Sequence, residues 1–448
     1  MASTDFLRER DHIPGGDWFS GAGLGIFVHW DQASQQGIEI SWPLVGRTVT
    51  PGVDAVDDRI SVEQYQSTAS TFNPTKWDAA DLARRAREAG ATYVVFTARH
   101  HAGYNMFFTD QSDFGVEHGL LGRDITREFV DAVRAEGLRV GIYYSLPDWN
   151  HPDYPAFTDA DLPYKHESWP SAGLAEFAGT PLATDRHRRS SAEEWSRYLE
   201  YVRAQLTELL TNYGTIDLLW FDGDWERSAA EWTAPALRRL IKELQPDVVI
   251  NDRLPGQGDY RTPEQGFPLS VPEGPWELCL TIGDQWSWHD GPDNEKSARS
   301  LLVTLIDVVA RGGNLLLNVG PGPDGTVPDV ELERLEEFAR WMATHAESVI
   351  GANPTQRVDF HGPSTARAGR LYLHLTSIPV EEIIVRGLPV TRVSRVHRLA
   401  DGLELPYKAS FEVHEQFMNG DESGELRIVA PDPSGALIDV IAIDFTDE

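Results

Sequence analysis

The feature that most limits what this chain can fold into is an alternation that runs through residues 17–350. Short apolar runs ending in polar groups are separated by stretches whose apolar positions recur at helical spacing. Its clearest instance is Leu218-Leu219-Trp220-Phe221-Asp222-Gly223-Asp224-Trp225, an apolar run that follows Tyr213-Gly214-Thr215 and stops abruptly at Asp-Gly-Asp. This reads as a buried parallel strand that surfaces at its C-terminal end with carboxylates, where a (β/α)8 barrel keeps its chemistry. Side chains alternate along a strand, so Trp220 and Asp222 are expected to share a face.

The same pattern predicts strands at 23–30, 92–98, 139–145, 248–250, 276–281 and 312–320, with helices over 77–90, 124–136, 192–213, 234–244, 295–311 and 328–350. Asp124 is a plausible N-cap, and glycines 90 and 137 stop their helices before the next strand. Strand, helix, strand repeated in this way predicts an α/β (β/α)8-like TIM barrel. Two stretches break the rhythm: a Gly/Pro/Ser-rich loop through Asp58 that carries Trp42, and Pro147 to Arg189, which is too long for an idle connector and is expected to be an active-site loop. After Gly351 the pattern changes to short alternating strands with turns between them, which predicts a separate β-sandwich. The expected division is therefore 1–350 for the barrel and 351–448 for the sandwich.

Composition narrows the partners. Against 39 Lys plus Arg stand 70 Asp plus Glu, a net charge of −31 that argues against nucleic acid or an anionic membrane surface. Cys279 is the single cysteine, so no intrachain disulfide forms. Met1 to Arg10 holds no apolar segment of signal-peptide length, and the expectation is a cytoplasmic protein.

Polar residues recur at the ends of five expected strands: His29, the pair His100 and His101, Tyr143 with Tyr144, Asp222, and Arg253. A lone histidine there is more often a satisfied structural residue than a catalytic one; five such strand ends together shift the balance. Three chemistries compete. Glycoside hydrolysis needs a carboxylic acid and, in a retaining enzyme, a second carboxylate as nucleophile. Asp222 suits the nucleophile, while Asp224 better fits a carboxylate that merely caps the following turn. Glu264, in a Pro-rich loop, suits the acid, with Glu273 and Glu277 as rivals. A metal-dependent hydrolase would also gather His and Asp at strand ends, but adjacent His100 and His101 are not expected to aim at one ion while strand geometry persists. The third reading is a carbohydrate-binding protein without catalysis, which the 14 tryptophans would also suit.

Four blocks carry a resemblance. Gly25-Ile26-Phe27-Val28-His29-Trp30, Arg99-His100-His101-x-Gly103-Tyr104, Leu218-Leu219-Trp220-Phe221-Asp222-Gly223 and Gly312 through Pro321 resemble, in that order, the family 29 glycoside hydrolases, the α-L-fucosidases. The resemblance implies a barrel with irregular later helices, a β-sandwich, no metal and no organic cofactor, and a retaining mechanism acting on a fucosylated oligosaccharide or glycoconjugate. It implies Asp222 as nucleophile and Glu264 as acid/base. His29, His100, His101, Tyr143 or Tyr144, Trp220 and Arg253 would line the sugar pocket, with Trp42 and Trp286 completing its apolar wall. Two positions depart from the family pattern: Ala102 stands where many members have Asp, and Ser41-Trp42 where many have Glu-Trp. Glu39 is near but out of register.

Overall fold

A computed structural model describes residues 6–44, 61–154, 190–291, 293–411, 413–414 and 423–446. Residues 45–60 of the first long loop and residues 155–189, most of the expected active-site loop, lie outside these described residues.

Seven parallel strands form one curled sheet: β1 (Leu24–Val28), β2 (Tyr93–Arg99), β3 (Arg139–Ser145), β4 (Leu218–Asp222), β5 (Val249–Ile250), β6 (Glu277–Thr281) and β7 (Asn314–Val319), in the order β5-β4-β3-β2-β1-β7-β6. Between β5 and β6 the chain makes no regular element, yet it still closes the ring. Asn251 bridges Tyr260, and Arg261 and Glu264 bridge Trp276 and Cys279, all parallel. The backbone bonds from Asp259 to Ile250, Glu277 to Arg261 and Gln265 to Cys279 confirm a threaded eighth position. Glu264 therefore does not ride a free loop as expected; it sits at the C-terminal end of an irregular strand.

Alternation along the strands divides the barrel's apolar residues into two sets. Phe27, Tyr93, Val95, Tyr143, Leu218, Trp220, Val249, Cys279 and Leu316 fill the barrel interior. Their neighbours, such as Ile26, Val94, Phe96, Ile142, Tyr144, Leu219 and Leu317, pack outward against the helices. The outer layer includes α2 (Ala79–Glu88), α3 (Ile125–Ala135), α4 (Ala192–Asn212), α5 (Ala234–Leu244), α6 (Ala298–Ala310) and α7 (Asp329–His345), with a short α1 (Val62–Gln66) before them. Side-chain caps start several of these: Asp78, Asp124, Ser191 and Ser297 each accept a backbone N–H of the first turn.

Beyond α7 the strands of the described residues pair antiparallel. Strands β8 (Asn353–Pro354), β9 (Ser364–Arg367), β10 (Arg370–Leu375), β12 (Val393–Arg398) and β15 (Asp439–Phe445) make one sheet, and β11 (Glu382–Pro389), β13 (Tyr407–Phe411) and β14 (Ser423–Val429) the other. Leu371, Leu373, Val396, Ile441 and Ile443 from the first meet Ile383, Val385, Leu426 and Ile428 from the second, as expected of a sandwich. Phe6, near the start of the chain, belongs to that same core. The opposite face of the larger sheet offers Tyr372, Val440 and Ala442 to the barrel's helix layer, where Trp341 Nε1 donates to the Ile438 carbonyl at 2.8 Å.

One contact in the barrel floor is tight enough to test. A β-carbon on Gly25 of β1 would fall against the ring of Tyr93 on the neighbouring strand. Overpacking of this kind costs about 1–3 kcal/mol. Gly25→Ala is therefore expected to lower the melting temperature by a few degrees in a calorimetric scan, and an unchanged transition would show that the Tyr93 ring yields freely.

Candidate active site

The C-terminal ends of the strands converge, and alternation decides which side chains reach the centre. Asp222 has the parity of Trp220 and Leu218 and points inward. Tyr143 also points inward, and its phenol donates to Asp222 Oδ2 at 2.8 Å. Tyr144 does not join the site, contrary to expectation: one residue on, it faces the helix layer, donates to Gln205 Oε1 at 3.0 Å and lies under the Arg99 guanidinium.

Arg253, just past β5, organises the centre. Its Nη1 donates to Asp222 Oδ1 at 2.7 Å, its Nη2 donates to Glu264 Oε2, and its guanidinium lies over the Trp220 ring with the central carbon 4.6 Å from the ring centre. One planar cation thus spans two carboxylates and rests on an indole. Burial pushes the Asp222 carboxyl toward its neutral form. The Arg253 charge and the contacts from His101 outweigh that and hold it well below the usual carboxylate range, so Asp222 is ionised. Its side chain is 10% exposed and that of Glu264 30%. Asp222 is therefore the enclosed carboxylate, and Glu264 the one at the solvent side.

Three histidines wall the opposite side. His29 follows β1 with the inward parity of Phe27, and its Nδ1 meets Asn318 Oδ1 at 2.6 Å. His100 Nδ1 meets Ser41 Oγ at 2.7 Å, and its ring stacks on Tyr143 with centroids 5.3 Å apart. His101 Nδ1 meets Ser145 Oγ at 2.7 Å, while its Nε2 stands 3.4 Å from Asp222 Oδ2. Both members of the adjacent pair face the site because β2 shifts register between Thr97 and Arg99. The shift turns Arg99 outward beside Tyr144 and His100 inward, and a turn closed by Gly103 N to His100 O then swings His101 round. Strand parity alone had made that convergence unexpected. Burial lowers His29 to about 3, against opposing pulls from Asn318 and Asp222, and burial together with His101 and His29 lowers His100 well below its ordinary value. Both rings are neutral.

Trp42 lies edge-on to His101 at 5.4 Å, and Trp286 is tilted against His29 at 4.8 Å. Trp220 lies deeper, stacked on Tyr143, with Nε1 donating to Glu277 Oε1 at 3.0 Å. That last contact removes one rival acid. Glu277 opens β6 opposite Asn314, in the barrel floor beneath Trp220, where burial raises it to about 7. Glu273 is exposed. Asp224 opens the short turn that follows β4, and burial raises it to about 7.

Several residues that spacing did not single out hold the site in place. Asn318 and Ser145 were legible only as strand residues of inward parity. Ser41 carried no signal for such a role, since its position depends on a backbone with φ of 64°. Glu39 accepts the backbone N–H groups of Trp286 and Ser287 at 3.0 and 3.1 Å, which ties the first loop to the Trp286 loop.

His100, His101 and Asp222 also bring potential ligand atoms within 4.8 Å of one another. Their chemistry does not suit a resident dication. Both Asp222 oxygens already accept hydrogen bonds, and one of the donors is a guanidinium whose charge would oppose the ion.

A model of the family described as Alpha-L-fucosidase matches residues 5–347 of this chain. The solved structure of alpha-L-fucosidase isoenzyme 1 from Paenibacillus thiaminolyticus is 32% identical and similar with a TM-score of 0.79, over 97% of this chain and 99% of that one. A Thermotoga maritima alpha-fucosidase, solved in complex with a mechanism based inhibitor, is 25% identical with a TM-score of 0.70, over 95% of this chain and 96% of that one. Among curated relatives, the alpha-L-fucosidase of Dictyostelium discoideum is 28% identical over 343 residues, covering 73% of this chain and 68% of that protein.

The electrostatics of Asp222 can be checked directly. In Arg253→Met, burial acts on the carboxyl without the cation that outweighs it, so its pKa is expected to rise from far below the usual range to above it. The side-chain carboxyl 13C resonance of Asp222, followed against pH, reads that change. No rise would mean that the tyrosine and His101 suffice to hold the charge.

Proposed function

This chain belongs to the alpha-L-fucosidase family, and we propose that it is a retaining, exo-acting glycoside hydrolase that removes terminal α-L-fucosyl residues from oligosaccharides or glycoconjugates. The observation that carries this reading is the single guanidinium of Arg253 bridging an enclosed, ionised carboxylate and a second, more exposed one. Retention needs two carboxyl groups roughly 5–5.5 Å apart, and a shared guanidinium keeps a pair close. Asp222 attacks the anomeric carbon and forms a glycosyl ester as the glycosidic bond breaks. Glu264, on the open side where an aglycone departs, gives its proton to the leaving oxygen. It then takes a proton from water, whose oxygen attacks the anomeric carbon and releases Asp222.

His29, His100 and His101 hold ring hydroxyls, and Trp42 and Trp286 supply apolar contact for the methyl of a deoxy sugar, with Trp220 supporting Arg253 from below. The departures at Ser41 and Ala102 favour keeping a second substrate in view, another L-configured sugar at the same site. Hydrolysis of an aryl α-L-fucoside, compared with the matching L-galactoside and L-arabinoside, separates the two.

Asp222→Ala is expected to lower turnover by orders of magnitude while the protein stays folded at the assay temperature, as a circular-dichroism spectrum would show; near-normal turnover would remove it from the nucleophile role. Glu264→Ala should be slow and regain turnover of an activated aryl fucoside when azide is added, with a fucosyl azide as product. Absence of that product would move the acid/base role to another residue. A chelator is expected to leave the rate unchanged, and inhibition by it would revive a metal-assisted mechanism.

A further inference from the structure

The hydrogen bonds behind His29 and His100 have directions, and those directions differ. Asn318 Nδ2 donates to the Trp286 carbonyl at 2.6 Å, which fixes the amide so that Oδ1 faces His29. Oδ1 can only accept, so His29 carries its proton on Nδ1 and leaves Nε2 as a bare acceptor. At His100 the logic reverses. Ser41 Oγ accepts from the Ala102 N–H at 2.8 Å, and His100 Nδ1 is its other partner, at 2.7 Å. Ser41 is fully buried, so its hydroxyl proton goes to Nδ1 or goes unbonded at a cost of about 1–3 kcal/mol. His100 then carries its proton on Nε2. Each residue is 3% exposed, and the side-chain hydrogen bond behind each ring runs through Nδ1, with Nε2 on the far side of the ring. The ring centres lie 5.7 Å apart, edge to face.

We propose that Asn318 and Ser41 are specificity-determining positioning residues that lock His29 and His100 in opposite tautomers, one accepting and one donating, so that the pair selects free hydroxyl groups on the sugar. A hydroxyl, or two vicinal ones, both donates to His29 and accepts from His100. An ether oxygen or a fluorine accepts from His100 but gives His29 nothing, and an ammonium donates to His29 but offers no lone pair to His100. The backbone at Ser41 fits this role: a non-glycine residue at φ 64° is retained where its side chain is needed, and here its N–H is also fixed by the Tyr65 phenol at 2.9 Å. Part of the inference, the sugar it selects, rests on the fucosidase reading; the tautomers do not.

The test is long-range 1H–15N correlation on the full-length protein labelled at histidine nitrogens, with the two rings identified by their loss in His29→Gln and His100→Gln. The expected result is a bare Nε2 on His29 and a bare Nδ1 on His100. The same tautomer on both overturns the proposal, whether or not the protein cleaves fucosides. Ser41→Ala and Ser41→Gly should release His100 alone and raise KM for an aryl fucoside about tenfold. Glycine suits the left-handed backbone better than alanine, so a merely structural role would restore KM in Ser41→Gly along with its melting temperature. A positioning role leaves KM raised in both. Asn318→Ala should release His29 alone. Aryl fucosides with fluorine in place of single ring hydroxyls should lose least affinity in the Asn318 variant at the position read by His29, and equal losses in wild type and variant at every position would refute the selection.

Discussion

The site depends on one buried cation. Arg253 stands between Asp222 and Glu264 and over Trp220, and each neighbour answers a different cost of placing a charge there. Removing a guanidinium from water is expensive, and two carboxylates return the Coulomb energy only when the geometry is good. The indole face supplies a weaker attraction and a flat support that a lysine could not use in the same way. Asp222 gains most: the Arg253 charge, with the contacts from His101, keeps ionised a carboxyl that burial alone pushes toward its neutral form.

The barrel makes that arrangement affordable by fixing the partners from separate elements. Asp222 ends β4, Tyr143 belongs to β3, Arg253 follows β5, and Glu264 ends the irregular segment that replaces a regular strand between β5 and β6. The segment's pairing to β6 through Cys279 places Glu264 as firmly as a strand would. Gly223, at φ 76°, turns the chain immediately after Asp222, and a side chain there would collide with the Pro147 ring. The aspartate is thus held at the end of its strand with the next loop packed hard against it.

How much of this was legible follows from what kind of rule placed each residue. Strand parity is local, and it correctly paired Trp220 with Asp222 on one face; applied to Tyr143 and Tyr144 it also requires that only one of them point inward. It misled at His100 and His101 because a register shift in β2, invisible in the apolar pattern, turns the strand by one residue. Glu264 looked like a loop residue since prolines and glycines surround it, and only the distant partner Cys279 reveals the strand. The alternating order of strands and helices needed no such distant information, which is why the barrel and the sandwich were readable from the sequence.

The least legible features are the residues behind the site, and they are also the ones that set its polarity. A histidine offers a donor or an acceptor according to which nitrogen holds the proton, and the ring's inward face does not decide that. Asn318 decides it for His29 through a carbonyl on the Trp286 loop, and Ser41 decides it for His100 through a backbone N–H at Ala102. One hydroxyl thus joins the backbone at Ala102 to the His100 ring, so the loop that carries Ser41 and the turn after β2 set the polarity of that ring together.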